Sequence, residues 1–425
     1  MNDKQTLKVS ILAGTGGMLE FYDFILYMLF SAQIAKAFFV DIQSPALKSL
    51  IVMIVFSIAY IVRPIGGFLI GWMGDSIGRK KSFSFTILLM ACCVLLMGIM
   101  PTYAMIGVMA PIIFILLRII QGLALGGELP GAIVFVYESV AKKGPALGIL
   151  FSMVLGGILL GQIMSIILHA IFGEYAWRAA FISGSIVAFI GFYIRRKLQE
   201  TEMFRNLESK QKFPLIKLLK SQLRSQVGTI LCVVLIGFDG VMAMLYFPKY
   251  LTVHLHYPQH FTSIVAIIAS FFNLGVIFVA SLISDYINYR RLYAISALLL
   301  IVIAYPAFYL INSFHFFDVL IGMLLLTLPP AMMCGLFMRI ICEAFTTDVR
   351  FSGVAIGYNL AFAMVGGLVP VLTELMIQSS GKILGPVIIS VCCGVIGLLS
   401  MWILGGGGLQ NVSYKAVGSK EATQS

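Results

Sequence analysis

Twelve long apolar runs dominate this chain and leave few folds open to it. Each is roughly 17 residues or longer, enough to cross about 30 Å of hydrocarbon at 1.5 Å per helical residue. The runs lack the alternation of barrel strands, so helices are the spans that they predict. Their approximate cores are residues 11–35, 48–73, 83–101, 104–136, 146–171, 178–195, 226–252, 262–284, 292–312, 317–344, 352–377 and 384–404. With a mean hydropathy of +1.01, the chain is predicted to be an all-α membrane protein with twelve transmembrane helices.

The basic residues predict the orientation of these helices. If the N-terminus is cytoplasmic, 21 of the 29 Lys and Arg residues lie on the cytoplasmic side and five on the opposite side. This bias follows the positive-inside rule, so both termini are expected to be cytoplasmic. The formal charge of +11 then reflects topology and anionic lipid headgroups. No basic stripe with interleaved aromatic residues indicates a nucleic-acid partner.

An internal repeat divides the chain into two pseudo-symmetric halves. Glu138, Gly148 and Gly161 recur 205 positions later as Glu343, Gly353 and Gly366, and Asp75 recurs as Asp285. Parallel repeats of this kind are a known plan of transporters. We predict a six-helix bundle over 1–194, a cytoplasmic amphipathic linker over 195–225, a second six-helix bundle over 226–404 and a disordered cytoplasmic tail over 405–425.

An acid and three cations stand together where the second apolar run ends, in GWMGDSIGRKK at 71–81. The Asp75 carboxylate could accept hydrogen bonds from a neighbouring helix terminus or cation, and Gly71 and Gly78 permit close backbone approach. Such a contact would hold one face of the protein closed. The alternative is that Arg79, Lys80 and Lys81 only anchor the loop to lipid headgroups.

Five segments in a fixed order resemble the metabolite:proton symporter branch of the major facilitator superfamily. They are GTGGMLEFYDFILY at 14–27, RPIGGFLIGWMGDSIGRKK at 63–81, RIIQGLALGGELPGA at 118–132, LQETEMF at 198–204 and VRFSGVAIGYNLAFAMVGGLVP at 349–370. The resemblance implies two six-helix bundles that rock about a central cavity, and a substrate that crosses the membrane with a proton. It also implies a monomer in a bacterial inner (plasma) membrane, surrounded by lipid, with no cofactor beyond the proton gradient.

The second copy of the loop departs from the first. Asn288 and Tyr289 replace Gly78 and Arg79, so only the acid and the trailing cations remain. We therefore expect the gate to be asymmetric. The residues predicted to form it are Gly71, Asp75, Gly78, Arg79, Lys80, Glu138, Asp285, Arg339, Glu343 and Arg350.

Ionisable residues inside the predicted spans are expensive and therefore functional by default. At 1.5 Å per residue, Arg63 lies about 18 Å from Asp75 and Glu128 about 15 Å from Glu138, which places both near the bilayer centre. A half-dry carboxylate can take up a proton on one side and release it on the other, and forked arginine donors suit a substrate carboxylate. The proton-site candidates are Asp23, Glu128 and Glu20, and the substrate-site candidates are Arg63, Arg118, Gln121, Tyr22, Asp239, Tyr358 and Asn359.

A structural explanation stands beside each of these assignments. Arg63 could simply pair with Glu20 or Glu128 and lock the bundle. Asp239 could bind the positive end of a substrate or be a water-satisfied acid near the wall. Tyr22, Gln121, Tyr358 and Asn359 could be polar groups of the packed core.

No span or loop combines a nucleophile with a base, a metal-ligand cluster or a phosphate-binding glycine loop, so an enzyme is not expected. The seven cysteines all lie in apolar runs, which argues against a disulfide framework or a zinc site. The sequence predicts a proton-coupled symporter that imports a small organic acid or zwitterionic metabolite. An exporter on the same scaffold and a non-transporting receptor remain as alternatives.

Overall fold

The computed structural model describes residues 3–40, 51, 54–55, 57–196, 199–207, 214–241, 247 and 250–405. These residues are almost entirely helical, and no strand occurs among them. The long helices are α1 Asp3–Leu29, α2 Arg63–Ser76, α3 Arg79–Ile99, α4 Met109–Ser139, α5 Lys143–Phe172, α6 Ala176–Arg195, α7 Leu223–Val241, α8 Gln259–Ile283, α9 Tyr289–Ile311 and α10 Phe316–Glu343. The last element, Arg350–Gly405, is interrupted at Gly381 (φ 89°), which separates α11 (350–380) from α12 (382–405).

Some predicted runs contain a break between two helices. The run 11–35 contains a break at Phe30, where α1 ends and a short helix, Ser31–Phe38, begins. In the run 104–136, the short helix Tyr103–Ile106 precedes a turn at Gly107, and α4 begins at Met109. In the run 226–252, α7 is described through Val241 and a π-helical turn lies at Tyr250–His254, while 242–246 and 248–249 lie outside the described part of the chain. Hydropathy does not mark these breaks, because the residues on both sides of each break are apolar.

The connector between α6 and α7 contains two short helices, Glu202–Arg205 and Pro214–Ser221. In the second, Ile216 and Leu219 are exposed and Leu218 is buried against the protein. Phe213 and the side chain of Leu215 lie outside the described part of the chain. The predicted tail beyond Gly405 also lies outside it.

The two halves repeat the same pattern of helix packing. In the first half α2 packs on α4, α3 on α4 and α6, and α1 on α5. In the second half α8 packs on α10, α9 on α10 and α12, and α7 on α11. The twelve helices therefore form two six-helix bundles of like topology, as the internal repeat predicted.

The halves meet along two pseudo-equivalent helix pairs, α2 with α11 and α5 with α8. Glycines allow the backbones to touch: a Cβ on Gly71 would lie 2.8 Å from the Ser352 Cα, and one on Gly144 would lie 2.3 Å from the Ser281 carbonyl oxygen. Both contacts lie at the end of the molecule that contains Asp75 and Glu138, which we call the Asp75 end.

Large apolar side chains cover the outer surface of the bundles, among them Phe271, Ile166 and Trp402. Eight helical segments of the described chain are long and apolar enough to cross a bilayer. Such a continuous apolar surface would be unstable in water and is typical of a protein surrounded by lipid.

The crossing of α2 and α4 supplies a test of the packing. A Cβ on Gly126 would lie 2.4 Å from the Arg63 carbonyl oxygen and the Gly67 nitrogen, whereas a Cβ on Gly156 in α5 meets nothing within 4 Å. We expect Gly126→Ala to destabilise the protein by about 1–3 kcal/mol, because backbone atoms cannot move aside cheaply. Gly156→Ala should leave stability unchanged or raise it by about 0.5–1 kcal/mol. Thermal unfolding of both purified variants in the same detergent measures the two effects. Equal melting temperatures would contradict the close backbone contact between α2 and α4.

Candidate functional site

A buried ion pair joins α1 to the first residue of α2. The Arg63 Nη2 lies 2.8 Å from the Glu20 Oε1, and both side chains are almost completely buried. The rings of Tyr60, Tyr358 and Phe362 surround the guanidinium, with centroids 5.3, 5.9 and 5.9 Å from its carbon. Of the two partners that the sequence left open for Arg63, the structure gives it Glu20.

Asn359 of α11 connects this ion pair to the second half. Its Oδ1 accepts a hydrogen bond from the Arg63 Nε at 3.1 Å, and its Nδ2 donates to the carbonyl oxygens of Gly126 at 2.6 Å and Ala355 at 2.7 Å. Both ends of the buried amide are therefore occupied. Asn359 is held between the halves rather than presented to a cavity.

A second ion pair lies one turn farther along α1. The Asp23 Oδ2 accepts hydrogen bonds from the Arg118 Nη1 at 3.1 Å and from the Gln121 Nε2 at 2.8 Å, and Arg118 also donates to the Gln121 Oε1 at 2.8 Å. The Tyr27 ring lies 4.0 Å from the Arg118 guanidinium carbon. We call Glu20, Asp23, Arg63 and Arg118 the central cluster.

The central cluster is formally neutral but retains hydrogen-bonding capacity. Among the described residues, the Glu20 Oε2, the Asp23 Oδ1, and the Arg118 Nε and Nη2 have no hydrogen-bond partner, although all four atoms are buried. Buried polar atoms of a packed structural core normally have partners. Atoms of this kind are expected where a proton, water or ligand binds.

Three other predicted substrate contacts have different surroundings. The Tyr22 hydroxyl lies 3.0 Å from the Ser183 Oγ, and the buried Tyr358 ring stacks on Phe362 with centroids 4.5 Å apart. Asp239 is in α7, but its side chain lies outside the described part of the structure.

Glu128 belongs to a separate cluster. Its Oε1 lies 2.7 Å from the Arg195 Nη2, its Oε2 accepts a hydrogen bond from the Thr86 Oγ1 at 2.5 Å, and both members of the ion pair are fully buried. Arg195 also donates to the carbonyl oxygens of Phe83 and Ala13. This ion pair joins α1, α3, α4 and α6.

Arg195 was not predicted as a site residue, because the sequence placed it at the start of the linker beside Arg196 and Lys197. The structure instead continues α6 through Arg195 and buries its side chain completely. Nothing in the sequence distinguishes it from these neighbouring cations, and only the packed bundle shows that Arg195 turns inward.

At the Asp75 end, four buried charged residues form what we call the first latch: Asp75, Arg79, Glu138 and Arg350. Arg79 donates to the Asp75 Oδ1 at 2.5 Å and to the Glu138 Oε2 at 3.3 Å, and Arg350 donates to the Glu138 Oε1 at 2.7 Å. Because Arg350 belongs to α11 and the other three to the first half, this network joins the two halves.

The Asp75 carboxylate also caps a helix of the opposite half. Its oxygens accept the backbone N–H groups of Phe351 at 3.2 Å and Ser352 at 2.8 Å, in the first turn of α11. These N–H groups have no acceptor within their own helix, and the positive end of the helix dipole favours an anion there. Gly71 allows the two helices to approach this closely.

The second half contains a pseudo-equivalent arrangement, which we call the second latch: Asp285, Tyr289, Arg339 and Glu343. Both Asp285 oxygens lie 3.1 Å from the Gly144 N–H in the first turn of α5. Arg339 bridges Asp285 at 2.9 Å and Glu343 at 3.0 Å, while the Tyr289 hydroxyl donates to Glu343. The cation thus comes from α10, since Tyr289 replaces the loop arginine.

The two latches also differ in burial. The first-latch side chains are at most 9% exposed, whereas those of Asp285, Arg339 and Glu343 are 14–23% exposed. Charge pairs nearer to water contribute less. Loss of a partner should therefore matter more in the first latch than in the second.

Comparison with known proteins places this geometry in a family. The model of the Major Facilitator Superfamily matches residues 13–371, which include the central cluster and both latches. The chain belongs to the Major Facilitator Superfamily. As a member of it, the protein is a membrane transporter and not an enzyme, as the sequence predicted.

Several curated relatives match nearly the whole chain. The proline/betaine transporter of Salmonella typhimurium is 29% identical over 94% of this chain and 83% of its own length. The glycine betaine/proline/ectoine/pipecolic acid transporter of Dickeya dadantii is 28% identical over the same shares. The putative proline/betaine transporter of Staphylococcus haemolyticus is 27% identical over 95% of this chain and 89% of its own.

Solved structures share the fold at lower identity. A proton:xylose symporter bound to a bromodeoxyglucose superposes with a TM-score of 0.77 at 18% identity, over 95% of this chain and 96% of that one. The human organic anion transporter MFSD10 superposes with a TM-score of 0.70 at 14% identity, over 94% of this chain and 99% of that one. These likenesses confirm the predicted fold of two six-helix bundles.

The buried ion pair of Glu128 and Arg195 gives a prediction for this transporter. Arg195→Met should destabilise the protein by about 3–5 kcal/mol, because it leaves a buried carboxylate without a counter-charge. Adding Glu128→Gln should restore much of that loss, so the two changes should be strongly non-additive. Thermal unfolding of the single and double variants measures the coupling. The exposed pair of Glu202 and Arg205, 3.9 Å apart, is the control and should show almost none.

Proposed function

We propose that this transporter is a proton-coupled symporter that imports a small zwitterionic metabolite. The observation that carries the proposal is the central cluster, in which two buried carboxylates and two buried arginines meet and keep unsatisfied polar atoms. Intramembrane ionisable groups of this kind mark proton relays and substrate sites.

Glu20 and Asp23 are the proton carriers in this proposal. Each uses one carboxylate oxygen to pair with an arginine and has a second oxygen that accepts no hydrogen bond in the described part of the chain. A proton can therefore bind the second oxygen without displacing an existing donor. Once the carboxylate is neutral, it holds its arginine more weakly.

Glu128, which the sequence also favoured as a proton site, is assigned a structural role instead. The Arg195 guanidinium balances its charge, and each of its oxygens already has a donor. Removing that charge by protonation would leave Arg195 buried and unpaired, which is unfavourable.

The released arginine supplies the link between proton and substrate. Arg118 and Arg63 present forked donors that fit a substrate carboxylate, which takes the place of the neutralised side chain. The rings of Tyr60, Tyr358 and Phe362 already surround one cation, and they can receive the positive nitrogen of a zwitterion. The curated relatives are named for proline and betaines, which carry both charges.

Alternating access in this proposal opens and closes the Asp75 end. The latches join the halves there, so their separation would expose the central cluster to that side. The excess of Lys and Arg in the loops at this end supports a cytoplasmic position. We accordingly place the protein in a bacterial inner membrane with both termini in the cytoplasm. No cofactor beyond the proton gradient is needed to drive this cycle.

Proton coupling is tested with Asp23→Asn in cells or vesicles. In the unmodified protein, adding proline or glycine betaine to weakly buffered cells should alkalinise the medium, because each imported molecule brings a proton. Asp23→Asn should abolish accumulation against a gradient while exchange of labelled substrate persists, since exchange needs no net proton movement. A pH electrode and a radiolabel measure both.

Two results would contradict the proposal. Uptake that continues unchanged in the presence of a protonophore would exclude proton coupling, and substrate expelled from cells rather than accumulated would indicate an exporter. Ser183→Ala is a matched control, because it removes the partner of Tyr22 at the same depth without changing any charge. Its coupling ratio should equal that of the unmodified protein.

A further inference from the structure

The segment LQETEMF between the two halves does more than connect them. We propose that Glu200, Thr201 and Phe204 are positioning residues of the first latch, and that they favour the state in which the Asp75 end is closed. The sequence placed these residues in a linker that lies on the membrane. In the structure, the side chains of these three residues lie among α3, α4 and α11.

Glu200 caps the start of α3. Both of its carboxylate oxygens lie 3.2 Å from the backbone N–H of Lys80, at the second position of the helix. The carboxylate rests on Gly78, where φ is 141° and a Cβ would lie 2.5 Å from the Glu200 Oε2. A negative charge at this helix start is favourable, so Glu200 fixes the loop that carries Arg79.

Thr201 bonds directly to the latch. Its side chain is buried, its Oγ1 accepts the N–H of Phe204 at 3.3 Å, and the same hydroxyl donates to the Glu138 Oε2 at 2.9 Å. Glu138 therefore has three donors: Arg79, Arg350 and Thr201. The threonine holds the carboxylate between the arginines of the two halves.

Phe204 orders the arginine of the loop. Its ring is buried and its centroid lies 4.8 Å from the Arg79 guanidinium carbon, while the Phe351 ring of α11 lies 6.0 Å from the same atom. The guanidinium contacts aromatic rings from both the connector and the second half. Contacts of this type stabilise a buried cation and restrict its orientation.

The segment contacts both halves of the protein. It follows α6 of the first half, yet the neighbouring Met203 Sδ lies 3.6 Å from the Arg350 Nη1 of the second half. Farther along the connector, Lys217 forms an ion pair with Asp348 in the loop before α11. Burial alone would raise the pKa of Asp348, but hydrogen bonds from Lys217 and Thr346 hold it below its ordinary value.

Contacts made only in the closed state shift the population toward that state. Separation of α11 from the first half would break the bridge through Glu138 on which Thr201 and Phe204 act. The connector thus sets how readily the Asp75 end opens. This role concerns the latch and does not depend on which ion or substrate the transporter uses.

Hydrogen–deuterium exchange of the purified full-length protein tests the proposal without substrate or a pH gradient. The reporters are the amides of Phe351 and Ser352, which donate to Asp75 only while the latch is closed. The variant Thr201→Val with Phe204→Leu keeps the side chains similar in size but removes the hydroxyl and the ring. We expect these amides to exchange roughly tenfold faster, as for the loss of a hydrogen bond to a charged group.

Glu202→Gln is the matched control, because this residue lies in the same segment and its side chain is 85% exposed. It should not change the exchange of either reporter amide. Equal exchange in the double variant and the unmodified protein, or an equal rise in the control, would overturn the proposal. If the double variant does not fold, Glu200→Gln gives the same test, with faster exchange expected at Lys80 as well.

The result separates this proposal from the proposed function. Faster exchange at the reporter amides with unchanged protection in the middle of α3 supports a role in the latch, even if transport proves not to be proton-coupled. Proton-coupled transport with unchanged reporter exchange would retain the proposed function and reject the role of the connector.

Discussion

A charge inside a membrane-spanning bundle is tolerated only where an opposite charge or a group of aligned N–H donors balances it, and the architecture of this transporter follows from that requirement. Glu20, Asp23 and Glu128 each face an arginine from another helix. Asp75 faces both an arginine and the start of a helix in the opposite half. The buried acids therefore determine which helices lie side by side.

The same requirement separates contacts that can be broken from contacts that hold the bundle together. Glu128 and Arg195 belong to one half, so rocking of the halves leaves their ion pair intact. Arg350 pairs with Glu138 across the halves, so in the proposed cycle this is a contact that breaks when the Asp75 end opens. Asn359 lies between these regions and joins Arg63 to α11, which couples the central cluster to the helix that the first latch holds.

The internal repeat explains both the likeness and the difference of the two latches. Asp75 and Asp285 each accept N–H groups at the start of a helix in the opposite half, because the duplicated bundles face each other about a pseudo-symmetry axis. The cation arrives by different routes, from the loop as Arg79 and from α10 as Arg339. The two latches therefore differ in the element that supplies the arginine and in how deeply their side chains are buried. The aspartate occupies the equivalent position in both.

Twelve helices, their division into two halves and the residues whose charges need partners can be predicted from the amino-acid sequence. Apolar run length and buried charge are local properties, so they can be read along the chain. The partners of these residues are visible only in the folded bundle: Arg63 pairs with Glu20, Glu128 pairs with Arg195, and Asn359 bonds to Arg63 and to two backbone carbonyl groups. Each pairing depends on how a helix is rotated about its axis and how deep it lies in the membrane. A helix that is apolar on every face does not specify either property in its sequence. For that reason the sequence predicts a linker that starts at Arg195, and only the folded bundle shows the inward position of Arg195, Thr201 and Phe204.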